Sequence, residues 1–237
     1  MSPIDLNIDL GELADEPAEL FALATTANVA CGGHAGDAAS MERAVSRALA
    51  NGARVASHPS YPDREGFGRT SLGMDPPAIA ATVEQQCAAL SAIARRLGCP
   101  LRRMKPHGAL YHDAARNATI AAAVIEGALR GLGVATEDIV IVGPPTGSLR
   151  AEAATRGVAY AREGFADRGY RADGSLAPRR SPDALITDPA EAARQALSLA
   201  RSGAIDTLCV HGDTMGAVAV AARVRAALAD AGLLGGA

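Results

Sequence analysis

Leu6, Ile8 and Leu10 alternate with Asp5, Asn7 and Asp9. A period of two predicts a strand over 4–10 with one apolar and one polar face. Further short apolar runs fall at 27–31, 54–57, 102–105, 138–142, 158–162 and 207–210. Longer Ala-, Leu- and Arg-rich stretches of helical period lie between them, predicting helices near 17–25, 75–98, 117–132, 146–156, 189–202 and 216–231. Asp37 reads as the N-cap of another helix, running to about Asn51, and Asp75 before Pro76 and Pro77 opens the longest one. A loop rich in Pro and Gly (59–73) and a second long loop (164–182) interrupt the alternation.

Seven βα units in sequence place the chain in the α/β class and fit two architectures. One is a TIM-like barrel, one strand short of the (β/α)8 type; the other is an open doubly wound sheet. An open sheet carries a Gly-rich phosphate fingerprint after its first strand, whereas this chain has Leu10-Gly11-Glu12 there. Polar residues also cluster at the predicted strand ends: Asp9 and Glu12, His34, His58, Lys105 and His107, Glu163 with Asp167 and Arg168, then His211 and Asp213. Closing the sheet brings those ends to one mouth. The expectation is therefore a seven-stranded β/α barrel, a single domain over residues 1–237.

Composition narrows the function. Net charge is −3, aromatic residues are 3% and there is no Trp, a balance unsuited to binding phosphate backbones or stacking bases. No apolar run reaches membrane-spanning length, and residues 1–10 carry Asp5 and Asp9 where a signal peptide needs basic then apolar residues. The expectation is a cytoplasmic protein with no nucleic-acid or membrane partner. The four cysteines, Cys31, Cys87, Cys99 and Cys209, show no zinc-ligand spacing and read as reduced thiols.

Lys105 is the only lysine among 23 basic residues. A compact amine kept where arginine serves everywhere else suits oxyanion or phosphoryl stabilisation. Four of five histidines end strands, a pattern suited to proton transfer or metal ligation; His112 reads as a surface or packing residue. Asp5, Asn7 and Asp9 on the polar face of the first strand require partners, a metal or solvent if buried. Arg69 offers a planar fork for a carboxylate or phosphate, or a surface ion pair.

Six ordered motifs, DLNIDLGE (5–12), ANVACGGHAGD (27–37), SHPSYPDREGFGR (57–69), KPHGALY (105–111), EGFADRGY (163–170) and CVHGD (209–213), closely resemble the LamB/YcsF family. The resemblance implies a seven-stranded barrel similar to the glycoside hydrolase/deacetylase group. It also implies ATP-dependent opening of 5-oxo-L-proline, a lactam, to L-glutamate, together with 5-oxoprolinase subunits B and C. Gly33 stands where the family has an aromatic residue, which predicts a wider pocket.

On that basis Asp9, His58, Lys105, His107, Glu163 and Asp213 are the expected catalytic residues. Asn7, Glu12, Asn28, His34, Arg69, Arg168 and His211 are the expected substrate-binding residues. ATP is expected as co-substrate of the complex, with activation of the lactam on the partner subunits because the chain shows no nucleotide fingerprint. A second reading is a stand-alone metal-dependent amidohydrolase or deacetylase, with Asp9, His34 and His58 holding a divalent ion. A third is a non-catalytic subunit that only binds a small acid.

Overall fold

A computed structural model describes residues 3–179 and 181–236; Arg180 and the outermost residues of the expected 1–237 domain lie outside them. Seven parallel strands close into a barrel in sequence order, β1 pairing with both β2 and β7. The strands are β1 (Asp5–Leu10), β2 (Thr26–Ala30), β3 (Arg54–His58), β4 (Arg103–Met104), β5 (Val140–Gly143), β6 (Ala159–Phe165) and β7 (Thr207–His211). The helices are α1 (Glu19–Leu23), α2 (Ala38–Ala50), α3 (Pro76–Arg96), α4 (Gly108–Arg116), α5 (Ala118–Leu132), α6 (Ser148–Thr155), α7 (Pro189–Arg201) and α8 (Ala217–Asp230). The barrel, not the open sheet, is the architecture.

Side-chain oxygens start the main helices as expected. Asp37 and Ser40 form a reciprocal capping box on α2, and Asp75 accepts from the Ala78 amide ahead of two prolines. Asn117 caps α5, accepting from the Thr119 and Ile120 amides. That cap divides the 108–132 region into two helices, where a single helix from 117 was expected.

The strand β6 runs three residues further than expected, so Glu163 and Phe165 lie in the sheet rather than in a loop. Gly164 suggests a break in sequence. In the fold it meets Ile205 and Leu199 so closely that a Cβ would lie 3.2 Å from Ile205, which is close packing and not a turn.

Leu6, Ile8 and Leu10 are fully buried against the helices, so the apolar core lies between sheet and helical ring. The barrel interior is polar. At its closed end Asp5 accepts from Thr25 (2.6 Å), Thr26 (2.7 Å), Thr207 (2.8 Å), Arg54 (2.9 Å) and Arg103 (3.1 Å). One level up, Asn7 donates to Thr207 and accepts from Asn28, each at 2.7 Å. Paired this way, the buried polar stripe of β1 is tolerated. No described helix is long and apolar enough to cross a membrane.

Candidate active site

The strand ends open into a cavity of about 460 Å³ lined by Asp9, His58, Lys105, His107 and His211 among others. Lys105 directly follows the two-residue β4, and its amine reaches across the floor. Its Nζ lies 2.8 Å from Asp9 Oδ1, 2.9 Å from Glu163 Oε1, 3.3 Å from Asn7 Oδ1 and 3.1 Å from Cys209 Sγ. Glu163 accepts no other bond among the described residues. Burial works against the charged amine, but Asp9 and the other acidic groups around it hold Lys105 well above the usual lysine range. Burial likewise pushes Asp9 up, yet His58 and Lys105 hold its carboxyl well below the usual carboxylate range. Asn28 donates 2.8 Å to the same Asp9 oxygen, so Asp9 Oδ2 is the less encumbered one.

Beside this floor lies a second constellation. His58 Nδ1 is 2.8 Å from the Lys105 carbonyl and His107 Nε2 is 3.0 Å from the Phe67 carbonyl. A carbonyl only accepts, so each ring donates there and the other nitrogens, His58 Nε2 and His107 Nδ1, face one another at 3.0 Å. Glu12 Oε1 lies 3.3 Å from His107 Nδ1 and 3.8 Å from His58 Nε2, and it meets His34 Nε2 at 2.9 Å. Burial pushes His34 and His107 well below the usual imidazole range and pushes Glu12 up. The ligand atoms of Glu12, His34, His58 and His107 all lie within 4.8 Å of one another. The expected metal set of Asp9, His34 and His58 is thus not the one that converges: Glu12 and His107 take the place of Asp9.

On the opposite wall Asp167 clasps His211. Its carboxylate accepts from the His211 amide at 2.8 Å and meets Nδ1 at 3.0 Å through both oxygens. Burial lowers the His211 pKa, but Asp167 more than compensates and raises it. Nε2 is left for the cavity that the ring lines.

Three further expected site residues hold one another or the surrounding loops. Asp213 sits at the rim, ion-paired with Arg69 and, at 3.0 Å, with Arg179; it is not on the floor with Lys105. Arg69 makes that ion pair while it lines the cavity. Arg168 lines the cavity while donating to the carbonyls of Ala184 (3.0 Å) and Ala177 (2.8 Å), which fastens the 165–186 loop. Gly33 does not widen the pocket: it packs on Ser60 and Gln86, and a Cβ there would overlap both side chains.

Other residues enter as well, among them His112, which the sequence reads as a surface or packing residue. His112 lines the cavity from α4, its pKa pushed down to about 4 by burial and by Arg116 and Arg168. Arg116, Arg171 and Arg179 join Arg69 and Arg168 around the cavity. Nothing in an Arg-rich sequence distinguishes them from surface arginines. Tyr111 and Phe165 stack edge to face at 5.9 Å and divide this cavity from a neighbouring one of about 470 Å³ that reaches Glu163.

Residues 4–234 match the model of the LamB/YcsF family. The chain is 43% identical to the A subunit of 5-oxoprolinase from Chloroflexus aggregans, over 98% of each chain. It is similar to the crystal structure of a lactam utilization protein from Thermus thermophilus, with 37% identity, a TM-score of 0.91 and full coverage of both chains. A family 4 carbohydrate esterase from Streptomyces lividans, solved in complex with acetate, shares the fold at 16% identity and a TM-score of 0.55, over 100% of this chain and 92% of that one.

Proposed function

Because this chain belongs to the LamB/YcsF family, we propose that it is the hydrolytic subunit of an ATP-dependent 5-oxoprolinase, opening 5-oxo-L-proline to L-glutamate. The observation that carries the proposal is the end-to-end likeness to the A subunit of a 5-oxoprolinase. That relative is named as one component of a larger enzyme, which supports an assembly, taken here to include subunits B and C. The whole chain acts in it as one barrel domain in the cytoplasm.

The geometry supplies the chemistry. A lactam is a resonance-stabilised amide, and ATP provides the driving force by phosphorylating its oxygen on the partner subunits. Water then adds to the former carbonyl carbon and the ring C–N bond breaks, leaving an acyl phosphate. A second water releases phosphate and the side-chain carboxylate of glutamate. The five arginines around the cavity favour a substrate that carries both a carboxylate and a phosphoryl group.

On the floor, Lys105 stabilises negative charge as it develops on oxygen. Asp9 takes the proton from water through Oδ2. His211, its pKa raised by Asp167, gives a proton to the departing ring nitrogen, a step that needs an acid because an amide anion is a poor leaving group. Glu163 holds the ammonium from its other side.

The test is reconstitution with the partner subunits, 5-oxo-L-proline and ATP, measuring glutamate and ADP. Stoichiometric formation of both is expected, abolished by Asp9→Asn. Glutamate release by this chain alone, or glutamate release unaffected by Asp9→Asn, would overturn the proposal.

A further inference from the structure

With both imidazoles neutral and both carboxylates ionised, every group converging between β1, β3 and β4 is an acceptor. His58 Nε2 and His107 Nδ1 present lone pairs to one another at 3.0 Å, and Glu12 Oε1 completes a triangle with edges of 3.3 and 3.8 Å. Asp9 Oδ2 stands 3.4 Å from the same His58 nitrogen. Four acceptors with no donor among them repel in a buried site unless a cation lies between them.

The spacing matches a metal. Ligands roughly 2.0–2.1 Å from a tetrahedral ion stand about 3.3 Å apart, and the three edges scatter around that value. Ring orientation selects the ligands. His58 and His107 are perpendicular, at 89°, so their in-plane lone pairs can meet at one point. His34 lies parallel to His107, 3.6 Å away at 4°, and lone pairs in two parallel stacked planes do not converge. His34 therefore serves as a support, its Nε2 bonded to Glu12.

The surroundings are those of a metal site. Both histidines donate their remaining N–H to a backbone carbonyl, which fixes tautomer and ring orientation. One of those carbonyls belongs to Phe67, the only non-glycine residue with positive φ (53°) among those described. Such strain persists where the surroundings enforce it, and it gathers at functional sites. Enforcement is visible: the Ala109 amide bonds to the Gly68 carbonyl, and a Cβ on Gly108 (φ 56°) would collide with that carbonyl. The loop after β3 is thus pressed onto the start of α4, with the Phe67 carbonyl against His107.

We propose that Glu12, His58 and His107 form a three-ligand site for a zinc-class divalent ion, with its open position towards the cavity. Two imidazoles and one carboxylate suit such an ion better than magnesium or calcium. His58 and His107 line the cavity with Asp9, whereas Glu12 and His34 do not. An ion held there lowers the pKa of bound water to about 7, which suits a base as weak as Asp9. The other convergent set, Asp9, Cys209 and His211, already has the Lys105 ammonium against two of its members. That added role at the lactam site rests on the function proposed above, but ion binding does not.

The experiment uses the full chain, stripped with a chelator, without lactam, nucleotide or other subunits. Zn2+ is titrated calorimetrically and Co2+ by visible absorption, with Mg2+ as control. One Zn2+ per chain is expected, together with Co2+ d–d bands, no Mg2+ uptake and a raised thermal midpoint. Glu12→Gln and His107→Gln, each checked for a cooperative unfolding transition, should weaken Zn2+ binding at least 100-fold. His34→Gln should weaken it roughly 10- to 100-fold, as removal of an outer partner does. No uptake by the folded parent would overturn the site and leave a proton on His58, shared with His107, as the cation. Undiminished binding in the Glu12 and His107 variants would overturn it equally.

Discussion

Replacing Lys105 with Met keeps the apolar stem and removes the charge that separates two buried carboxylates. At an effective dielectric of about 20, a charge pair at the 2.8 Å and 2.9 Å seen to Asp9 and Glu163 is worth about 6 kcal/mol each. Desolvation of the ammonium offsets much of that in the parent. In the variant Glu163 loses its partner and Asp9 keeps only Asn28 and the neighbouring histidines, and breaking a buried pair from one side typically costs about 3–5 kcal/mol. For a chain of this size that is a fall in Tm of about 6–20 °C, read by circular dichroism. The loss has a pH signature. In the parent, the depressed pKa of Asp9 contributes stability above its unfolded value of about 3.9, and that contribution is lost as pH falls through the lower folded value. Without the ammonium the Asp9 pKa rises, so the folded variant takes up protons and gains relative stability as pH falls. The gap between the two proteins is therefore widest near pH 8 and narrows towards pH 5. Equal midpoints at pH 7, or a gap independent of pH, would refute the assignment of Lys105 as the counter-charge of the floor.

Asp167→Asn removes the carboxylate that raises the His211 pKa; turnover of the reconstituted complex should fall by about 10²–10⁴, and the alkaline limb of its pH–rate profile should move to lower pH. Asp5→Asn should lower stability by about 2–3 kcal/mol, because Arg103 and three threonines lose a charged acceptor. The folded pKa of Asp5 is depressed, since Arg103 and the threonine hydroxyls outweigh burial. Its contribution is thus present above about pH 4 and fades below, so parent and variant midpoints should converge in acid denaturation series. Gly33→Ala drives a Cβ into Ser60 and Gln86; a loss of about 1–3 kcal/mol in denaturant titrations is expected, with KM unchanged because Gly33 lies off the cavity.

Some of this site is visible in the chain before any folding is considered. Asp5, Asn7 and Asp9 must share a face, because side chains alternate along a strand. The lone Lys105 stands out against the arginines. Other features are invisible for definite reasons. Glu163 looks like a loop residue because Gly164 follows it, and only the Ile205 contact shows that the glycine serves packing. His112 belongs to the site because α4 begins at Gly108, four residues earlier, and a helix presents one side of itself to the cavity. Asp213 looks like the partner of His211 by adjacency, yet Asp167, 44 residues away in sequence, fills that place.

Legible in the chain alone are the order of the seven strands, every main helix except α4, the capped starts of α2 and α3, and the gathering of acidic, imidazole and amine groups at one end of the barrel. Those follow from local periodicity and from the single direction of a parallel sheet, properties that short stretches of chain carry alone. Tertiary structure decided the pairings: Lys105 between Asp9 and Glu163, Asp167 on His211, and Glu12 rather than Asp9 beside the two facing imidazoles. Contacts a few ångströms long between separate strands depend on register, loop path and ring orientation, and these are set only when the barrel closes.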